Sequence, residues 1–215
     1  YDLDRPASEP SLAQMTLAAI KQLKGKEKGY FLMVEGGRID HALHDTNAKR
    51  ALQDTLAFDN AILAAINEVK KTDPELKNTL IVVTADHDHT LVLNGYAKRT
   101  GKTTAGNAGV LGLVKNYETG EPSKDSDGMP YTIIGFGNGY NRVDGPRSSV
   151  AALDDATTSA DDYHQEVVVK VGEIGNETHG GTDVFLGAIG QGAERFHGSL
   201  DNTAVFGKIK AAAKL

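Results

Sequence analysis

Thr79-Leu80-Ile81-Val82-Val83-Thr84-Ala85-Asp86-His87-Asp88-His89-Thr90 sets four consecutive titratable side chains directly behind a short apolar run. Thr79 to Thr84 reads as a buried strand, because a short continuous apolar run suits a strand covered on both faces. In open α/β sheets, sites form beyond the carboxyl ends of the strands. Asp86, His87, Asp88 and His89 would perturb one another on leaving such a strand, and a bound cation would favour the ionised carboxylates. Adjacent Asp and His side chains can chelate one metal together, or one can orient the other. The plainer alternative is a polar loop with coincident histidines.

Upstream, Ala51, Leu52, Thr55, Phe58, Asp59, Ile62, Ile66 and Val69 mark the phases of a long amphipathic helix, stopped by Asp73-Pro74. Tyr30 to Val34 is another apolar run and predicts a buried strand. Before it, Leu12, Met15, Ala19 and Leu23 stand at helical spacing behind a candidate cap, Ser11, and Gly25 ends the pattern. Helix, strand, helix, strand predicts an α/β layer fold with a parallel sheet. Downstream, Tyr131–Phe136, Glu166–Val171 and Val184–Ile189 predict further strands. Asp201–Lys214 predicts a closing helix capped by Asp201. Residues 94–164 are mostly aperiodic and rich in Gly, Lys and Thr, so they read as an insertion on the α/β body. No repeat and no clean domain boundary is visible.

Composition narrows the function. With 23 basic and 29 acidic side chains in 215 residues, the net charge is −6. That balance argues against binding nucleic acid through a broad basic surface. No run is long and apolar enough for a membrane span. The opening YDLDRPASEP is polar and lacks a signal-peptide pattern. Cysteine is absent, so a metal would be held by carboxylates and histidines.

Two further clusters join the first. In VEGGRIDHALH (34–44), Glu35 comes directly after the Tyr30–Val34 run, and Asp40 and His44 are four apart, which puts them on one face of a helical turn. In ETHGGTDV (177–184), His179 precedes two glycines, which allow close backbone approach. Five of the seven histidines (41, 44, 87, 89 and 179) fall in the three clusters. Without cysteine, a set of oxygen and nitrogen donors suits zinc and magnesium. Glu35, a hard oxygen donor set apart from the candidate zinc ligands, suits magnesium.

VEGGRIDHALH, TADHDHT and ETHGG, in this order, resemble the C-terminal half of the alkaline phosphatase family, and the PSLAQMT opening and closing helix extend the resemblance over nearly the whole chain. VEGGRIDH and the PSL-x-x-MT opening look similar to the animal-type enzymes and their bacterial relatives. The resemblance implies a three-layer α/β sandwich with a largely parallel central sheet, incomplete in this chain. It implies that Asp40, His44 and His179 bind a first zinc, Asp86 and His87 a second, and Glu35 one magnesium ion. His41 matches a position near the phosphate, and His89 one that orients a ligand. The implied reaction is hydrolysis of phosphomonoesters through a phosphoserine.

The family's serine nucleophile, its phosphate-binding arginine and the aspartate that bridges zinc to magnesium belong to its N-terminal half and have no counterpart here. Ser126, in DSDG, lacks the strand-to-helix setting of the nucleophile, and Arg38 cannot take the arginine's role. The expected partners are therefore the N-terminal half, a phosphomonoester and, for the complete enzyme, a second copy. This chain alone is expected to be inactive. Segment 94–164 lies where the family varies, as a cap or dimer-contact subdomain. Periplasmic or extracellular placement is implied by the family only. Two other readings stay open: a metal-binding fragment without catalysis, and another metallohydrolase such as a phosphomutase or phosphodiesterase.

Overall fold

The structure, a computed structural model, describes residues 1–214. Its elements in chain order are α1 (Leu12–Leu23), α2 (Arg38–His44), α3 (Ala48–Val69), β1 (Leu80–Thr84), β2 (Asp88–His89), β3 (Leu91–Leu93), β4 (Ile134–Gly139), α4 (Asp155–Thr158), β5 (Val167–Lys170), β6 (His179–Gly180), β7 (Leu186–Gly190) and α5 (Asn202–Ala213). They fall into two compact units. The first comprises Tyr1–Asp4, Gly37–Thr55 and His89–Gly180. The second comprises Arg5–Gly36, Leu56–Asp88 and Gly181–Leu215.

The first unit is organised by the hinge between α2 and α3. Asp45 caps α2, and Thr46 comes next at φ 54°. The Thr46 N–H donates to Leu43 O (2.8 Å) and the Asn47 N–H to Ala42 O (2.9 Å), so orphan carbonyls of α2 are satisfied. A β-branched residue in the left-handed region is an uncommon strain, held here by near-complete burial. Asn47 then starts α3: its Oδ1 accepts the Arg50 N–H at 3.0 Å, the N-cap bond. Tyr1 reinforces the hinge, donating from its hydroxyl to Asp45 (3.1 Å) beneath the guanidinium of Arg50.

Ala48, Leu111, Ile134, Phe136 and Val167 form the core of this unit, with Leu43, Leu52 and Leu91 packed against them. Burying such side chains contributes roughly 1.5–3 kcal/mol each for the larger ones. β4 is central in a three-stranded sheet, antiparallel to β3 and parallel to β5. Gly139 ends β4 at φ 146°, and a Cβ there would press on Thr46 Cγ2 (2.7 Å) and Val167 Cγ1 (2.9 Å). A glycine thus lets the sheet end approach the α2–α3 hinge.

The segment 94–164 is irregular in outline but contributes Leu111, Leu113, Val114, Ile134 and Phe136 to the buried residues. The strand expected at Tyr131–Phe136 is displaced to Ile134–Gly139, while Thr132 faces Leu113 in an isolated bridge. Arg147 ties the segment to β5. Its Nε and Nη2 donate to the two Glu166 oxygens (2.9 and 2.6 Å), Nη1 to Asp125 (2.5 Å), and Nη2 also to Pro130 O (2.8 Å).

In the second unit, Ser11 and Gln14 close a reciprocal capping box at the start of α1, in agreement with the cap expected at Ser11. Lys24 and Lys71 both donate to the nearly buried Glu68 (3.3 and 2.6 Å). β1 and β7 pair antiparallel, from Leu80↔Gly190 to Thr84↔Leu186. At Gly190 (φ 93°) a Cβ would overlap the Thr79 carbonyl, so the ladder end requires glycine. Asp201 caps α5, accepting the Thr203 N–H at 2.9 Å.

Two expectations are corrected. The sheet pairings are not largely parallel among the described residues: β4–β5 is parallel, while β1–β7 and β3–β4 are antiparallel, because hydrophobic runs locate strands without fixing their direction. Tyr30–Val34 forms no ladder among the described residues, and Phe31 and Met33 are each 74% exposed. An apolar run supplies the preference for a strand, but the strand itself exists only through a hydrogen-bonding neighbour.

Two measurements check these supports. Arg147→Ala should destabilise the chain by about 2 kcal/mol in urea unfolding, and Arg147→Lys should not restore it, since lysine cannot bond Glu166 bidentately. Asp73 accepts the Asn78 N–H (2.9 Å), the Thr79 hydroxyl (3.0 Å) and the Lys77 N–H (2.9 Å) in the turn before β1. The Asn78 bond, supported by the others and opposed by desolvation, lowers its pKa. A depressed carboxyl stabilises above its unfolded pKa and loses that contribution as pH falls through the folded value. The Tm gap between wild type and Asp73→Ala should therefore be full at pH 7 and close below about pH 4.

Candidate metal centre

α2 is a short helix, and its 3.6-residue period does what the spacing required: Asp40 and His44 share a face, with Asp40 Oδ1 3.4 Å from His44 Nε2. β6 brings His179 to the same place. His179 Nε2 lies 3.5 Å from Asp40 Oδ1 and 3.2 Å from His44 Nε2. His89, at the end of β2, completes the group with Nε2 3.0 Å from Asp40 Oδ1. All four residues belong to the first unit.

Glu177 underlies this cluster and is 2% exposed. Its Oε2 meets His89 Nδ1 at 2.6 Å, and its Oε1 accepts the Thr90 N–H (2.8 Å) and hydroxyl (2.5 Å). Its backbone carbonyl accepts His44 Nδ1–H at 2.5 Å. A carbonyl can only accept, so His44 carries its proton on Nδ1 and turns the Nε2 lone pair toward Asp40 and His179. Burial pushes the Glu177 carboxyl up, but the bonds from His89 and Thr90 outweigh it and leave the pKa lowered. Burial likewise pulls the His89 imidazole down, and Glu177, then Asp40, overcome it and leave the pKa raised.

The donor geometry can be compared with that of a metal. Ligands about 2.0–2.1 Å from a tetrahedral zinc stand about 3.3 Å apart. The three separations among Asp40 Oδ1, His44 Nε2 and His179 Nε2 are 3.4, 3.5 and 3.2 Å. One carboxylate and two imidazoles also match the three-ligand, one-open-position pattern of catalytic zinc sites. His179 is about half exposed, so the open side faces solvent. The donor set fits zinc.

His41 sits on α2 but is exposed, with Nδ1 3.1 Å from Arg38 Nη1. Asp86 and His87 are in the second unit, 3.6 Å apart, and the Asp86 side chain is 89% exposed. His87 Nδ1 lies 3.1 Å from Asp88 O, and Asp88 accepts the Thr182 hydroxyl. Glu35, also in the second unit, is exposed and follows the Tyr30–Val34 segment.

Sequence reasoning assigns no task to Glu177 or to Thr90. A signal is there: Glu177 and His179 are i and i+2, which on an extended chain share a face. A buried glutamate in a motif otherwise read for its histidine is easily taken for a solvated one.

The scaffold is a mixed α/β one, and its first unit presents a carboxylate–imidazole centre of the kind that holds a divalent metal. Comparison with known proteins supplies the family. The family model described as Alkaline phosphatase matches residues 1–215, and the chain belongs to that family. Similar relatives include the tissue-nonspecific alkaline phosphatase isozyme of Gallus gallus, 39% identical over 92% of this chain, and the membrane-bound alkaline phosphatase of Bombyx mori, 36% identical over 96%. The chain spans 34% of the length of each of these relatives. Among solved structures, the alkaline phosphatase of the Antarctic bacterium TAB5 is similar in fold, with a TM-score of 0.54 at 23% identity, covering 97% of this chain and 42% of that one. A mutant of that enzyme with Mg bound gives a TM-score of 0.55 at 24% identity, covering 94% of this chain and 41% of its own.

Zinc titration followed by calorimetry tests the centre. His179→Ala and Asp40→Ala should each weaken binding by more than about tenfold, the lower bound for disturbing even the surroundings of a ligand. His197→Ala should leave binding unchanged, since His197 Nδ1 is engaged with Glu194 O outside the cluster.

Proposed function

We propose that this chain supplies most of the metal-holding part of a phosphomonoester hydrolase that works through a phosphoserine, with the serine on a part of the enzyme outside this sequence. The observation that carries the reading is the convergence of Asp40, His44 and His179 at separations that suit one zinc. Family membership supports the reaction class.

In this reading Asp40, His44 and His179 hold one zinc, Asp86 and His87 a second, and Glu35 a magnesium ion. Bound zinc supplies a water whose pKa is lowered to roughly 7 and a Lewis acid for phosphoryl oxygens. The residues of the chain do the rest. Asp40 neutralises charge on its metal and is itself fixed by His89. His44 offers Nε2 because Glu177 O occupies its other nitrogen. His41, exposed beside Arg38 and accepting from its guanidinium at Nδ1, stands where a phosphate dianion could approach. His179, partly exposed, leaves one side of its metal open to substrate or water. Recognition centred on the phosphoryl group makes the leaving group a minor determinant.

The complete enzyme, in this reading, is a dimeric three-layer sandwich outside the cytoplasm, with residues 94–164 as a cap or dimer contact. The chain needs its serine-bearing partner segment to turn over. The test is hydrolysis of p-nitrophenyl phosphate by the chain alone and combined with that segment. Turnover is expected only in combination, lost on chelation, restored by zinc with magnesium, and at least about tenfold lower in His179→Ala. Asp86→Ala should impair formation of the phosphoenzyme. Turnover indifferent to chelator, or unchanged in His179→Ala, would refute the reading.

A further inference from the structure

We infer that Glu177 is a positioning residue for the metal centre: through two separate chemical groups it fixes which nitrogen of His89 and which of His44 faces Asp40. The inference rests on the zinc reading of Asp40, His44 and His179, but its central measurement needs neither zinc nor phosphate.

The two groups act on different rings. The side-chain carboxylate accepts from His89 Nδ1 (2.6 Å), which aims His89 Nε2 at Asp40 Oδ1 (3.0 Å). The main-chain carbonyl accepts from His44 Nδ1 (2.5 Å), which leaves His44 Nε2 facing Asp40 and His179. The same short segment then carries His179 itself two residues on. One residue therefore sets the presentation of three members of the cluster.

Glu177 is in turn locked. Thr90 gives its N–H and hydroxyl to Oε1, so Oε2 alone is left for His89. Asn138 steadies the next residue from β4: its Oδ1 accepts the Thr178 N–H (3.0 Å) and its Nδ2 donates to the Thr178 hydroxyl (2.7 Å). Both carboxylate oxygens are fully used, and the side chain is wholly buried. A carboxylate buried without those donors would be costly, and their number exceeds what filling space requires.

The arrangement makes an unusual prediction for the conservative substitution. In Glu177→Gln, the two Thr90 donors hold the amide oxygen at the Oε1 position, because the amide NH2 there would face two donors. The amide nitrogen is then left opposite His89 Nδ1. An NH2 group donates, so Nδ1 must give up its proton and become an acceptor, while Nε2 goes on donating to the Asp40 carboxylate as it does in wild type. In Glu177→Ala, His89 has no partner at Nδ1 from this residue, yet His44 keeps the backbone carbonyl.

The experiment is long-range 1H–15N NMR of the imidazoles in the full chain, metal-free, for wild type and both variants, with zinc titration alongside. Wild type should show a proton on Nδ1 of both His89 and His44. Glu177→Gln should clear the proton from His89 Nδ1, leaving only the one on Nε2, and leave His44 unchanged. Zinc affinity should fall roughly 10–100-fold in Glu177→Ala, the usual loss when a group that orients a ligand is removed, and return to within a few-fold of wild type in Glu177→Gln. A role in packing alone would also be rescued by glutamine but would not clear the proton from His89 Nδ1. Retention of that proton on Nδ1 in Glu177→Gln would overturn the inference, as would unchanged zinc affinity in Glu177→Ala. If Glu177→Ala does not fold, the tautomer in Glu177→Gln decides the matter by itself. Failure of the phosphatase reading would leave these tautomers as they are, so the two ideas fall separately.

Discussion

A negative charge buried at Glu177 constrains everything around the candidate centre. A carboxylate taken out of water must find donors, and here they are Thr90 and His89, with no oxygen left over. Satisfying that charge fixes where β2 ends relative to the 177–180 segment, and so where His89 and His179 stand. The partners come from distant parts of the sequence. Strands as short as β2 and β6 could not set this geometry by ladder bonds alone. Electrostatic necessity, with a small ladder beside it, therefore shapes this part of the first unit.

Much of this is legible in the sequence, for identifiable reasons. Helix α1 announces itself through Ser11, and α3 through its periodic apolar stripe and the Asp73-Pro74 stop. Asp40 and His44 are placed together by a spacing of four, which means the same thing in any helix. The illegible features depend on partners. Tyr30–Val34 has the composition of a strand but no ladder among the described residues, and the directions of β1 and β7 come from their pairing rather than from either sequence. The strand at 134–139 reads too early from sequence because Tyr131–Ile133 is as apolar as Ile134–Phe136, and only tertiary pairing separates them. Glu177 escapes notice because burial of a charged residue leaves no mark in a single sequence.

Family membership and site geometry meet at the first unit but come from different observations. The whole length of the chain matches the alkaline phosphatase family, while the chain covers 34% of the avian and insect relatives. The centre built by Asp40, His44 and His179 stands independently of that match, on three separations and one tautomer. Their agreement on a divalent-metal site is what gives the phosphoryl-transfer reading its footing. Large apolar side chains such as Phe31, Met33, Phe185 and Phe206 are exposed on the second unit and Leu93, Tyr96 and Tyr117 on the first, whose Ile134 and Phe136 are buried in its core.

Asn47 serves two helices at once: its N–H closes the end of α2, and its side-chain oxygen opens α3. Two helices that share a single capping residue cannot fray separately at that joint. In hydrogen exchange, the amides of Asn47 and Arg50 should therefore be released by one common opening, at one rate and with one denaturant sensitivity. Loosening the first turn of α3 would then also loosen the end of α2 that carries His44, so slow breathing of the longer helix would be felt as exchange lability at the imidazole cluster.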